Sequence, residues 1–261
     1  MHTSNCYTTL SEELLPTEPF SVIHSTEVDS TNQWLNTWCD SHRLPEGTTL
    51  QTDFQTAGKG QRGNSWEAAR GKNLLFSVVL YPTFLEARRQ FILSQLISLA
   101  IQEELSTYTS NITIKWPNDI YWKDQKICGI LIENSLSGMN LDRSIIGIGL
   151  NINQELFVSD APNPVSLKQV TGRTYDRSTL LQHILVRIRQ DYQALQRGET
   201  EAIVRRYFQA LYRNEGLHPF SDADGPFLAR IADVEADGHL VLEDDNGLLR
   251  RYVFKEVQYL L

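Results

Sequence analysis

A chain of 261 residues, 41% hydrophobic and 21% charged, is long enough for one large core with room for a small appended domain. Its formal net charge of −8 offers no basic field to hold a polyanion, which argues against nonspecific nucleic-acid binding. No run approaches the ~18 apolar residues of a membrane span, and Met1-His2-Thr3-Ser4-Asn5-Cys6 lacks the basic and then apolar segments of a signal peptide, so a cytoplasmic location is expected.

Residues 1–19 are polar, carry Pro16 and Pro19 and show no period, so they read as a loose lead-in. The fold is expected to start near Phe20 with a short strand to His24. Asp29-Ser30-Thr31-Asn32 then supplies a capping side chain for a helix carrying Trp34, Leu35 and Trp38. Thr48 to Asp53 reads as a strand that feeds a glycine-rich loop, Gln55 to Trp66, and Leu74 to Tyr81 is a β-branched and aromatic strand beyond it. Arg88 to Tyr108 is a helix so rich in Leu and Ile that it must be mostly buried. Ile112 to Trp116, Ile120 to Trp122 and Lys126 to Glu133 form an antiparallel meander, with another strand at Ser144 to Asn151. Leu181, Leu185, Ile188, Tyr192 and Leu195 keep a helical stripe after Asp176, and a second helix follows around Ala202 to Tyr212. From Gly216 the character changes: strands at Phe227 to Val234, Leu240 to Glu243, Leu249 to Phe254 and Val257 to Leu260 are punctuated by Asp237-Gly238 and Asn246-Gly247 turns, the pattern of a small β-barrel. These elements predict an α+β chain: a mixed sheet flanked by helices over residues 20–215, then a small β domain over 216–261.

The glycine loop spells G-x-G-x-x-G at Gly58, Gly60 and Gly63, yet a strand follows it where a dinucleotide fingerprint needs a helix. A phosphate-binding Walker loop also fails, because Gly58-Lys59 is followed by Gly60 rather than Ser or Thr. What remains is bare backbone with cations at Lys59 and Arg62, suited to an anionic ligand. Lys115, between Ile114 and Trp116 at the end of an apolar strand, needs an anion beside it, either a protein carboxylate or a ligand. Asn118 offers an amide nearby, and Asp119 is either a turn cap or a contact for Mg²⁺ carried on a nucleotide. Ser30, Thr31 and Asn32 present hydrogen-bonding groups at a helix start, of which simple capping accounts for one. Asn151 and Asn153 end a strand thinned by Gly147 and Gly149, suited either to a turn or to reading a base or ribose. Cys6, Cys39 and Cys128 fit neither a disulfide framework nor a zinc cluster, and the six histidines do not pair at ligand spacing, so no protein-held metal site is expected.

In chain order, Ser30-Thr31-Asn32, Gln55-Thr56-Ala57-Gly58-Lys59-Gly60, Lys115-Trp116-Pro117-Asn118-Asp119, Lys126-Ile127-Cys128-Gly129-Ile130-Leu131-Ile132-Glu133 and Gly149-Leu150-Asn151-Ile152-Asn153 resemble the biotin protein ligases. The resemblance runs from about Phe20 onward. It implies a catalytic domain similar to class II aminoacyl-tRNA synthetases with an SH3-like C-terminal domain, and a two-step reaction: ATP and biotin give biotinyl-5′-AMP, then biotin passes to a lysine of a biotin carboxyl carrier protein domain. On this resemblance Lys115 is the catalytic cation. Ser30, Thr31, Asn32, Gln55, Gly58, Lys59, Gly60, Gln61, Trp116 and Gly129 surround biotin, with Ile130 in its apolar wall. Lys59, Arg62, Lys115, Asn118 and Asn151 hold ATP, whose Mg²⁺ Asp119 approaches indirectly. A homodimer is left open. The residues before Phe20 are too few for the DNA-binding winged helix of some members, so neither a repressor role nor a nucleic-acid partner is expected.

Two other readings compete. A lipoate or octanoyl transferase shares the fold, but a linear acyl chain needs few of the polar partners offered by Ser30, Thr31, Asn32 and Gln55. A non-catalytic biotin-binding module has no use for Lys115 or the phosphate loop. The glycine loop departs from the family's common pattern: many relatives carry arginines where this chain has Gln61 and Asn64. Gln61→Arg is therefore expected to lengthen the lifetime of enzyme-bound adenylate, and an unchanged release rate in a chase experiment would count against it.

Overall fold

The computed structural model describes residues 20–159 and 162–260, apart from the side chain of Arg62. A seven-stranded sheet is built from β1 (Val22–Ser25), β2 (Thr49–Thr52), β3 (Leu74–Leu80), β4 (Ile112–Lys115), β5 (Asp119–Trp122), β6 (Gln125–Ser137) and β7 (Asn140–Leu150), in the order β1-β2-β3-β7-β6-β5-β4. Only β1 and β2 run parallel, so the sheet is mixed as expected. Helix α1 (Thr31–Ser41) packs on β3 and β7. Helix α2 (Phe91–Ser106) is buried almost all round, as its Leu and Ile content demands, and packs against α4 (Arg177–Gln196) and α5 (Thr200–Gln209).

Strand alternation gives the sheet two unlike faces. In β7, Ile146, Ile148 and Leu150 point into the main core with Phe76, Val78 and Leu80 of β3. The alternate residues, Ile145 of β7 and Val79 of β3, join Leu35 and Leu50 in a smaller cluster beneath α1. The same alternation puts Ser77, Gly147 and Gly149 on the α1 side of the sheet, a nearly side-chain-free strip along otherwise β-branched strands.

The stripe anticipated in α4 is buried: Leu181, Leu185, Ile188, Tyr192 and Leu195 all lie in the core, and Asp176 caps the helix by accepting from the Thr179 amide. Charges tie the helices together at their edges. Glu104 is buried on α2, and although burial opposes ionisation, hydrogen bonds from Arg187, Tyr108 and His183 hold its carboxyl below the usual range. Arg206 of α5 bridges Asp191 and Glu103. A short helix, α3 (Leu167–Thr171), escapes the sequence reading, although its Ser166–Gln169 capping box and left-handed Gly172 mark both ends.

A second sheet contains β8 (His218–Asp222), β9 (Gly225–Val234), β10 (Leu240–Asp244), β11 (Leu249–Tyr252) and β12 (Gln258–Tyr259), all antiparallel, in the order β11-β10-β9-β8-β12. The sequence reading misses β8, where Pro219 and polar ends mask Phe220. The two sheets share one unbroken apolar cluster that includes Phe91, Trp116 and Tyr207 on one side and Phe220, Ile231 and Leu240 on the other. At their junction the Trp116 indole donates to the Gly238 carbonyl at 3.0 Å, and Phe91 lies under the same turn. Gly238 has φ +94°, and a Cβ there would sit 2.8 Å from the Phe91 ring. Gly238→Ala should therefore lower stability by about 1–3 kcal/mol in a urea titration. Gly247→Ala, at φ +81° with open space around the new methyl, should cost less.

Candidate functional site

The glycine strip of the sheet floors a cavity of about 680 Å³. Gly129 of β6 and Gly149 of β7 face each other in register, and Gly147 sits opposite Leu131. A Cβ on Gly147 would fall 2.3 Å from Asn32 Oδ1, and one on Gly149 would fall 2.4 Å from the Trp66 indole. Side chains from α1 and from the glycine loop thus rest directly on backbone, which only glycine permits at these positions.

One end of the cavity is a directed hydrogen-bond network. Ser30, Thr31 and Asn32 are all buried at the start of α1, with Ser30 as the N-cap. Glu133 accepts from Asn32 Nδ2 at 2.7 Å, which turns Asn32 Oδ1 toward Ser77; that hydroxyl lies 2.6 Å from Asn32 Oδ1 and 2.7 Å from Thr31 Oγ1. Gln55 Oε1 accepts from the Thr31 amide at 2.8 Å and from its hydroxyl at 3.1 Å. The amide of Gln55 is thereby oriented. Its Nε2 has no protein acceptor among the described residues and remains a donor for a ligand carbonyl. Asn32 has both polar ends engaged, so it braces this wall rather than offering a free group.

The glycine loop is a zipped hairpin. Trp66 N donates to Gly58 O at 3.0 Å, Gly60 N donates to Asn64 O at 2.6 Å, and Thr56 and Ala57 pair with the chain ahead of α1. Gly58 is required for this closure, since its Cβ would meet Trp66 O at 2.9 Å. Lys59 lines the cavity, but its ammonium donates to Gln33 Oε1 at 2.7 Å. The Trp66 indole lies flat over Gly129 and Gly149, with Lys126 Nζ 5.8 Å from its ring centroid; its buried N–H has no partner among the described residues.

Lys115 ends β4 directly opposite Asp119 of β5, across the tight turn whose Pro117 carbonyl accepts from Tyr207 at 2.7 Å. Asp119 itself pairs with Lys126 at 2.7 Å. Lys115 is held instead between two aromatic faces, 4.9 Å from the Tyr121 ring centroid and 5.1 Å from that of Tyr259, and it donates to the Tyr121 hydroxyl at 3.4 Å. No carboxylate among the described residues lies within 4.0 Å of its ammonium. Burial pushes its pKa down, reinforced by Lys126 and Arg213 and opposed by Asp119. A cation held by ring faces, with Asp119 opposite it but bonded to Lys126 instead, is suited to an anionic ligand.

The cavity also takes in Asn151, Phe157, Val158 and Ser159, together with Phe254 and Lys255 from the turn between β11 and β12. Asn151 is buried and accepts from Asn73 Nδ2 at 3.4 Å.

Comparison with known proteins places the chain in a family. The family model described as the biotin/lipoate A/B protein ligase family matches residues 25–151. The bifunctional ligase/repressor BirA of Bacillus subtilis is 30% identical over 221 residues, covering 81% of this chain and 66% of that protein. The biotin–[acetyl-CoA-carboxylase] ligase of Paracoccus denitrificans is 30% identical over 204 residues, covering 75% of this chain and 80% of that one. The chain belongs to the biotin protein ligase family. In three dimensions, the biotin protein ligase of Aquifex aeolicus in complex with biotin and ATP superposes with a TM-score of 0.75 at 25% identity, over 91% of this chain and 98% of that one.

Of the residues singled out by resemblance to the biotin protein ligases, Ser30, Thr31, Asn32, Gln55, Lys59, Gly60, Gln61, Gly129 and Asn151 line the cavity, as do Ile130 and Asp119. Gly58 does not line it; it closes the hairpin through its carbonyl, which accepts from Trp66 N. Lys115 does not line the cavity; it donates to the hydroxyl of Tyr121, which does. Trp116 and Asn118 do not line the cavity either. Trp116 is turned into the junction of the two sheets, edge-on to Phe254, and Asn118 is buried in the turn. The phosphate contact expected of Arg62 falls on a side chain outside the described residues. Trp66, Glu67, Tyr121 and Lys126 line the cavity without having been assigned a role from sequence. An aromatic residue closing a glycine hairpin opposite alternating glycines was the available signal for Trp66. Outside the cavity, Glu235, Asp237 and His239 converge, but Arg251 donates to Glu235 at 2.6 Å and to Asp237 at 2.9 Å, so this is an ion-pair cluster rather than a free ligand set.

The seat of Trp66 can be tested in the ligand-free protein. Gly149→Ala should unseat the indole and shift tryptophan emission to the red, whereas the same substitution in a Trp66→Phe background should give no such shift.

Proposed function

We propose that the chain activates biotin with ATP, releasing pyrophosphate, and then transfers the biotinyl group to a lysine amine of a biotin carboxyl carrier domain in the cytoplasm. The observation that carries this reading is Lys115, caged by Tyr121 and Tyr259 without a carboxylate partner, beside a cavity whose other end presents the oriented Gln55 amide. In the first step a carboxylate oxygen of biotin forms a bond to the α-phosphorus and the bond to pyrophosphate breaks. Two anions must approach each other, and a preorganised ammonium offsets their repulsion most strongly where charge builds up. In the second step the carrier amine attacks the acyl carbon of the mixed anhydride, an amide forms and AMP leaves. Neither step needs a nucleophile from the enzyme.

The ureido head of biotin carries one carbonyl acceptor and two N–H donors, and it matches the end of the cavity where Gln55 Nε2 donates and the Ser30 and Thr31 hydroxyls are at hand. Asn151 belongs to the nucleotide end. Magnesium fits as the ion carried on ATP, neutralising phosphate charge. Asp119 stands opposite Lys115 in the β4–β5 pair, and its bond to Lys126 leaves it one oxygen for an indirect contact. In this reading residues 20–215 form the catalytic unit, and residues 216–261 complete it by bringing Tyr259 of β12 to Lys115.

A lipoate ligase is the rival with the same fold. ATP–pyrophosphate exchange should depend on biotin, not lipoate, and Lys115→Ala should reduce it by at least 10²-fold. Exchange supported equally by lipoate, or retained in the variant, would overturn the assignment.

A further inference from the structure

Glu67 follows Trp66 at the exit of the glycine hairpin, yet its carboxylate serves a different loop. Oε1 accepts from the Val158 amide at 2.9 Å and Oε2 accepts from the Ser159 amide at 2.8 Å. Gln154 Nε2 adds a third contact to Oε1 at 3.3 Å and also donates to Leu156 O at 2.8 Å. Gln154 is buried, and its own Oε1 accepts from Ala69 N at 2.8 Å and from Asn73 Nδ2 at 2.6 Å. Asn73 in turn accepts from the Ile152 amide at 3.1 Å and lies 3.4 Å from Asn151 Oδ1. A continuous polar chain therefore links Glu67, through Gln154 and Asn73, to Asn151.

At its start the segment held in this way is fixed through Glu155, whose carboxylate pairs with Lys168. Residues 155–158 adopt no helix or strand, and Leu156 and Val158 are 81% and 88% exposed, so they do not anchor it by burial. Gln169 holds the Glu155 carbonyl at 2.9 Å, but beyond Leu156 the contacts just described to Val158 and Ser159 run to Glu67. These hydrogen bonds keep the Glu67 carboxyl below its usual range even though burial acts in the opposite sense.

We infer that Glu67 is a positioning residue: it latches residues 154–159 to the glycine hairpin, so that the hairpin over the glycine floor and the wall beyond Asn151 move as one unit and shape the nucleotide end of the cavity. Phe157, Val158 and Ser159 line that cavity together with Glu67 and Asn151. The latch itself is read from geometry. Its assignment to nucleotide binding rests on the function proposed above.

Two measurements separate these claims. In hydrogen exchange of the ligand-free full chain, Glu67→Ala should speed exchange across 154–159 about tenfold, with Glu67→Gln intermediate and β7 unchanged. Equal exchange in wild type and Glu67→Ala would overturn the latch. In pyrophosphate exchange, Glu67→Ala should raise the KM for ATP about tenfold and leave the KM for biotin within about twofold. A parallel rise in both constants, or in neither, would overturn the assignment to the nucleotide end. If wild type shows no biotin-dependent exchange, the proposed reaction fails, while the hydrogen-exchange result still decides the latch.

Discussion

Gly129 and Gly149 face each other across β6 and β7, and the site depends on the absence of side chains there. Each glycine in a strand costs about 0.5–1 kcal/mol, and the chain tolerates it because the opposite face of the same strands carries Ile130, Ile146, Ile148 and Leu150 into the main core. One face of the strand pair holds the fold together while the other is left bare for contact. Trp66 lies on Gly129 and Gly149, and Asn32 lies over Gly147. Restoring a methyl at any of these points sets the new atom against an indole or an amide, so the glycines fix the depth of the cavity as well as its floor.

From that floor the polar wall acquires a direction. Glu133 can only accept, so it orients Asn32; Asn32 Oδ1 can only accept, so it takes the Ser77 hydroxyl; and the Thr31 amide can only donate, so it fixes Gln55. A protein that sets each group in turn presents its ligand with a fixed pattern of donors and acceptors. Reorganisation on binding is then small, which is how a site gains discrimination against molecules that lack the matching groups.

The large periodic elements and the order of the motifs were legible in the sequence because they depend on local pattern: the stripe of α4, the apolar run of α2, the meander β4 to β6, and the glycines that thin β7. Long-range choices were not. Lys115 and Trp116 are adjacent, yet one is caged beside the cavity wall while the other is buried against the Gly238 turn, a partner more than a hundred residues distant. Nothing local signals that divergence. The short elements α3 and β8 fall below the length at which periodicity speaks, and β8 is further disguised by a proline. Glu67 looks like an ordinary surface acid until the second loop folds against it.

The aromatic faces around Lys115 come from distant parts of the chain: Tyr121 from the adjoining strand, and Tyr259 from the edge of the second sheet. The lysine's cage is therefore complete only when the two sheets have docked. A molecule with an intact first sheet but a misplaced second one keeps the Tyr121 face and lacks that of Tyr259. Completion of the cage is in this way tied to completion of folding, since neither sheet alone supplies both rings.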